Sequence, residues 1–300
     1  MNIAFVDFWQ NFNPYNNFFV HYFKNLVQDT NIEINIVSNP QNADISICNN
    51  YCYSQYGKDH CGLNSLKTIK IFYTGEPYGI ETPEPNVDEY DYIFSFEHGN
   101  KEKNIRIPLW YLYINWFSKE MENGPSYLLP VNELEQKSSK WFNVKKDKDC
   151  CAVFSNPKQE RFDIIQALSK HIKIDCFGKP FNNSMSDHGG DNKYKKISEY
   201  KSSMCFENKI QSGYVTEKLL QSRVCGNLAI YWGHSDVKED FNPEGFVNAA
   251  DFKTFDECAE YVCYILQDEN KYNEMVNKPI FSSSFFKFDE KVKSILTSKG

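Results

Sequence analysis

The chain has 300 residues, enough for two domains of roughly 100–150 residues each. Its 41 % hydrophobic and 24 % charged content is that of an ordinary soluble globular protein. The net charge of −7 argues against a nucleic-acid binder, and the lysine runs 145–148 and 193–196 are broken by Asp147 and Tyr194 and read as solvated surface. Aromatic content is high at 16 %, which first supplies a bulky core and leaves surplus rings to line a cleft. The amino terminus opens on an apolar run, residues 1–6, that reads as a buried strand. A loop rich in Asn and aromatics follows at 10–17, then an amphipathic helix at 18–27. Strands are expected at 32–37, 44–48, 70–73 and 92–96, the third followed at once by Thr74-Gly75-Glu76-Pro77.

The stretch 118–148 is polar and carries Gly124, Pro125 and Pro130, as an interdomain connection does. The pattern then restarts with a strand at 150–154, a helix at 157–171 and a strand at 172–177 ended by Gly178. A helix at 197–201, a strand at 204–206, a helix at 216–224 and a strand at 228–232 follow, with helices at 255–267 and 269–276. Alternating strands and helices predict parallel α/β sheets. The expected division is one domain over 1–120 with its linker to about 148, a second over 149–276, and a carboxy-terminal helix within 277–300 that packs back on the first domain. Two such halves read as Rossmann-like domains facing each other across a cleft, with ligands at the carboxyl ends of the strands.

Ten cysteines are present, several inside apolar runs, such as Cys151 and Cys205, where they serve as small hydrophobes. Cys48, Cys52 and Cys61 lack the CxxC or His spacing of a zinc site, so no metal is expected. With no secretory signal and no apolar run long enough to span a bilayer, a cytoplasmic protein with reduced thiols is expected. Residues 285–300 lack a strongly basic amphipathic face, which makes peripheral membrane association a secondary reading.

The densest motif runs Cys205-Phe206-Glu207-Asn208, then Tyr214-Val215-Thr216-Glu217-Lys218-Leu219, Ile230-Tyr231-Trp232-Gly233, Asp240-Phe241-Asn242-Pro243 and Phe246-Val247-Asn248, ending at Asp251-Phe252. It spells strand, polar loop, helix start, strand and glycine turn. Glu217 and Lys218 lie in the first turn of a helix, where free N–H groups and a cation favour phosphate and a carboxylate suits ribose hydroxyls. The ordinary alternative is a dipole-stabilising carboxylate beside a surface lysine.

The complete block resembles the donor segment of the alpha-1,3/4-fucosyltransferase family, and its bacterial members most closely. The resemblance is strong from about 150 to 276 and weak from the first strand. It implies a GT-B fold with an acceptor-binding domain over 1–120 and a donor-binding domain over 149–276, GDP-fucose as donor and no required cofactor. It also implies Glu217 for ribose, Lys218 for pyrophosphate, and Asn208 and Tyr214 for the donor pocket. Ser155-Asn156-Pro157 followed by Arg161 matches a family segment whose Arg grips phosphate, and a guanidinium fork suits phosphate oxygens. Tyr73-Thr74-Gly75-Glu76 matches the segment whose Glu is the general base. Asp7, Trp9 and the loop 11–17 fall where the family's first acceptor loop lies.

Pro77 stands where Asn is usual and Lys209 where a small hydroxyl residue is common. His188 beside Gly189-Gly190, and His234, read as turn or surface residues, and Lys179 is a further candidate phosphate neighbour. The expected reaction is inverting, metal-independent transfer of fucose to a hydroxyl of GlcNAc or Glc on a glycan, in alpha-1,3 linkage. Two readings stay open beside it: another nucleotide sugar, or a silent carbohydrate- or nucleotide-binding protein, against which Glu76 with Glu217 and Lys218 argues.

Overall fold

The structure is a computed structural model, and it describes residues 1–49, 67–79, 84–98, 102–117, 124–135, 139–181, 191–282 and 289–298. The chain forms two compact units, Met1–Leu128 with Lys287–Gly300, and Leu129–Phe286.

In the first unit, strands β1 (Asn2–Val6), β2 (Asn35–Ile36), β3 (Ile45–Cys48), β4 (Ile69–Tyr73), β5 (Tyr92–Ser95) and β6 (Asn104–Arg106) form one parallel sheet in the order β2-β1-β3-β4-β5-β6. Helix α1 (Phe18–Leu26) starts at Asn17, whose side chain accepts the Val20 N–H at 3.2 Å. Its apolar stripe of Phe18, Phe19, Val20, Tyr22 and Phe23 is buried. Phe19 meets Tyr73 edge-on at 4.9 Å, so the helix is seated on the strand that leads to Glu76.

The strand expected at 32–37 shortens to two residues at the sheet edge. Strand β6 was hidden because its letters are polar: Asn104 and Arg106 are buried, but Ser95 Oγ donates to Asn104 Oδ1 at 2.8 Å and Arg106 Nε donates to Phe96 O at 2.9 Å.

In the second unit, β7 (Lys148–Val153), β8 (Ile174–Phe177), β9 (Tyr200–Phe206), β10 (Leu228–Trp232) and β11 (Phe246–Asn248) form a parallel sheet in the order β8-β7-β9-β10-β11. Helices α2 (Gln159–Ser169), α3 (Asp191–Ser198), α4 (Glu217–Val224), α5 (Phe255–Gln267) and α6 (Glu269–Val276) surround it. Side chains of β9 alternate between the faces. Met204 and Phe206 join the core with Ile164 and Leu168 of α2 and Val262 of α5. On the other face Ser203 Oγ lies 2.6 Å from Ser222 Oγ of α4. The helix expected at 197–201 lies earlier, at Asp191–Ser198, and β9 begins at Tyr200. Its polar start misled the reading: buried Ser202 is satisfied by donating to Asp149 O at 2.9 Å.

The polar stretch 118–148 divides between the units at Leu128/Leu129. Its later part packs on the second unit: Ser139 Oγ donates to Val224 O at 3.3 Å and Trp141 stacks on Tyr194. The last helix, α7 (Asp289–Thr297), belongs to the first unit, where Tyr22 donates to Asp289 Oδ1 at 2.7 Å.

Both sheets share one order, in which the second strand flanks the first on one side and the third flanks it on the other. The winding reverses between the first and third strands. The loops there part, leaving the crevice at the carboxyl ends where open parallel sheets bind ligands. That crevice falls between β1 and β3 in one unit and between β7 and β9 in the other.

Candidate active site

The crevice of the second unit is built from the loops that leave β7 and β9. The end of β8 presses on the end of β7. Gly178 has φ +115°, and a Cβ there would lie 1.9 Å from Phe154 O. Only glycine fits that approach. Arg161, in the first turn of α2, is 2 % exposed. Its Nη1 donates to Asn156 O at 2.7 Å, and its Nη2 to Phe206 O at 2.7 Å and Asn208 Oδ1 at 2.9 Å.

The guanidinium therefore stitches the two loops together, with Phe154 beneath it at 5.0 Å. Burial lowers its pKa, against an upward pull from Glu207 and Tyr214. Its Nε is buried and makes no hydrogen bond among the described residues, which leaves one orphan donor at the crevice. Arg161 is thus a buried clamp that also orients Asn208.

Glu207 directly follows β9 and is buried. Its carboxylate accepts the Thr216 N–H at 2.8 Å, Thr216 Oγ1 at 2.7 Å and Lys218 Nζ at 3.0 Å. Lys218 Nζ also donates to Thr216 Oγ1 at 2.7 Å. Burial works to lower the Lys218 pKa, but the carboxylates of Glu207 and Glu217 outweigh it and hold the ammonium above its ordinary value. Burial likewise works to raise Glu217, whose pKa is held down by Lys218 and Lys193. Lys193 Nζ lies 3.7 Å from Glu217 Oε1. Cations and carboxylates therefore alternate around the start of α4, whose first N–H groups add partial positive charge.

The loop between Asn208 and Thr216 is pinned by Asp236. This carboxylate accepts Ser212 Oγ and the Gly213 N–H, each at 2.8 Å, and lies 2.9 Å from His234 Nδ1. Burial pushes its pKa up, but these bonds bring it below the ordinary value. His234 is thus a strut of the loop. Tyr214 is buried at 1 % exposure, near enough to act on the charge of Arg161. Arg161, Asn208, Tyr214, Glu217 and Lys218 are accordingly gathered at one crevice. Glu207 and Lys193 join them although neither was expected. A carboxylate following directly on a strand that ends in the crevice was the available signal for Glu207; Lys193 had none within its lysine-rich helix.

In the first unit, Glu76 is exposed just beyond β4. Its N–H donates to Thr74 Oγ1, which donates in turn to Glu76 O, both at 3.2 Å. A Cβ on Gly75 would come within 2.8 Å of Leu109 Cδ1 and of Tyr73 Oη, so glycine lets this turn lie flat on its neighbours. Asp7, half-buried, has φ 58° at the end of β1. Trp9 is 42 % exposed on a cluster with Phe8 and Phe12, and Phe8 stacks on Tyr73 at 6.2 Å.

Cys52, Cys61, His188, Gly189 and Gly190 lie outside the described residues. Cys48 is buried, and burial raises its thiol pKa to about 12. Among the described residues, no helix is long and apolar enough to cross a membrane.

Paired parallel sheets of this order, each with its crevice, define the GT-B fold class of glycosyltransferases. A crystal structure of alpha1,3-fucosyltransferase with GDP-fucose superposes over 99 % of this chain and 90 % of its own, with TM-score 0.68 and 25 % identity. Anabaena HepE in complex with UDP and glucose shares the fold at TM-score 0.54 and 9 % identity, over 98 % of this chain and 95 % of its own. Residues 143–278 match "Glycosyltransferase family 10 (fucosyltransferase) C-term", and residues 3–113 match "Alpha-(1,3)-fucosyltransferase FucT N-terminal domain".

The chain belongs to this fucosyltransferase family. It is 32 % identical to alpha-(1,3)-fucosyltransferase FucT of Helicobacter pylori over 71 % of this chain and 48 % of that protein. It is 32 % identical to mouse 4-galactosyl-N-acetylglucosaminide 3-alpha-L-fucosyltransferase 9 over 43 % of this chain and 35 % of that protein. The chain thus spans about half or less of the length of these curated relatives.

Proposed function

We propose that the protein transfers fucose from GDP-fucose to a hydroxyl of a GlcNAc or Glc residue on a glycan acceptor, forming an alpha-1,3 linkage with inversion. The observation that carries this reading is the Lys218 ammonium, held among carboxylates at the start of α4 in the crevice of the second unit. The solved relative bound to GDP-fucose supports the choice of donor.

In this reading the second unit holds the nucleotide. Glu217 accepts ribose hydroxyls, while Lys218 and the first N–H groups of α4 take the diphosphate. The orphan Nε of Arg161 and the Asn208 amide, with Tyr214 behind them, complete the donor side. Glu76 takes the proton of the acceptor hydroxyl as its oxygen attacks the anomeric carbon. The bond from that carbon to the phosphate oxygen breaks, and its electron pair leaves with GDP. Charge on the leaving diphosphate grows through an oxocarbenium-like transition state, so fixed cations stabilise that state more than the ground state. Asp7 and the exposed face of Trp9 hold the acceptor sugar.

Thermal shifts against a panel of nucleotide sugars test the donor: GDP-fucose raises the Tm and the others do not. A glycan array with the best donor then reads the acceptor. Activity is expected to persist in EDTA, because the cations that meet the diphosphate here are side chains. A strict need for added divalent metal sinks that charge scheme.

A further inference from the structure

We infer that Glu207 is a positioning residue that aims the Lys218 ammonium at the diphosphate, and that Gly233 keeps the space in which it does so. The inference rests on the reading that Lys218 meets GDP.

The Glu207 side chain is 0 % exposed and faces no solvent through which a substrate could reach it. Its backbone N–H donates to Trp232 O at 2.9 Å, which ties it to the end of β10. From that anchor the carboxylate receives Thr216 and Lys218 together. An ammonium carries three N–H groups. Two of them are taken by Glu207 Oε2 and Thr216 Oγ1, which leaves a third without an acceptor among the described residues. A lysine on four methylenes otherwise samples many rotamers at a large entropic cost to any bond it makes. Here that cost is met on folding.

The glycine of the Trp232-Gly233 step belongs to the same device. A Cβ at 233 would lie 2.3 Å from Tyr231 Oη and 3.1 Å from Glu207 Cγ. Any side chain there pushes against the stem of Glu207. Glu207 also offsets part of the Lys218 charge, so its removal strengthens the positive field of the crevice while releasing the ammonium from its direction.

The test is a double-mutant cycle on the full chain, with GDP binding followed by calorimetry and transfer from GDP-fucose by initial rates. In Glu207→Gln the amide still accepts the Thr216 N–H but turns donor hydrogens toward the ammonium. We expect kcat to fall by about tenfold to a hundredfold while the GDP Kd moves less than about threefold. In the Lys218→Ala background the same change is expected to have no further effect on kcat.

Thr216→Val removes the second inward acceptor without altering charge and reaches the same kcat loss by an independent route. Alkaline titration adds a separate readout: GDP affinity declines at lower pH in Glu207→Gln than in wild type. Undiminished kcat in folded Glu207→Gln, or equal losses with and without Lys218, overturns the inference. Absence of GDP binding by wild type instead overturns the donor reading on which the inference rests.

Discussion

A buried carboxylate tolerates its charge only with a partner, and Glu207 has Lys218. Lys218→Ala leaves that carboxylate with the two Thr216 donors and no counter-charge. With Lys218 a fifth exposed, the loss of folding stability is put at about 2–3 kcal/mol, below the roughly 3–5 of a fully enclosed pair. A Tm fall of about 5–10 °C, together with weakened GDP binding, is the expected outcome. An unchanged Tm shows that water reaches Glu207.

The lowered carboxylates give a pH dependence. Glu217 and Asp236 titrate below their ordinary 4.5 and 3.8 in the folded chain. Their contribution is complete above those values and drains away as pH falls through the lowered ones. Thermal unfolding followed downward from about pH 6 is therefore expected to lose Tm below about pH 4.5, with a smaller acid loss in Asp236→Asn than in wild type. Equal acid losses in the two proteins remove Asp236 from this account. At this scale the place of Glu217 and Lys218 at a helix start was legible from the strand, polar loop and helix order of their motif. The burial of Arg161 was not, since its partners Phe206 and Asn208, at the end of β9 and just beyond it, lie some 45 residues away and only the sheet order brings them near.

Whole elements were legible wherever their core letters were apolar. Strands β1, β4, β7 and β10 announce themselves by runs such as Ile-Ala-Phe-Val or Leu-Ala-Ile-Tyr-Trp. Strand β6 and the first half of β9 did not, because their buried Asn, Arg and Ser side chains are satisfied by partners distant in sequence. Polar letters ordinarily signal exposure, and here tertiary hydrogen bonds make burial possible. Gly178 tests how the crevice elements are joined. Gly178→Ala forces a side chain into left-handed backbone and against Phe154 O, with strain of order 1–3 kcal/mol. The variant is expected to melt lower and to bind GDP more weakly, since Phe154 underlies Arg161. Wild-type binding in Gly178→Ala separates that backbone contact from the crevice.

Across the molecule, the roles proposed for the two units make distinct predictions. A nucleotide held by the second unit stabilises the folded chain by about 2.7 kcal/mol at a hundred times its Kd. Glu76 belongs to the first unit. Glu76→Gln is therefore expected to abolish transfer and keep the full thermal shift with GDP. Retained turnover removes Glu76 as the base, and a lost shift places it on the nucleotide instead.

Helix α7 bears on how the chain is made. It lies at residues 289–297, yet its Val292, Ile295 and Leu296 are buried within the unit begun at Met1, and its Asp289 accepts from Tyr22. During synthesis, the sheet of the first unit is made well before residues 289–297, which supply this helix. The later-made sheet has all of its strands long before that. The unit whose strands are translated first thus receives its helix after the strands of the second unit are made, and the Tyr22–Asp289 hydrogen bond joins residues 267 apart in the chain.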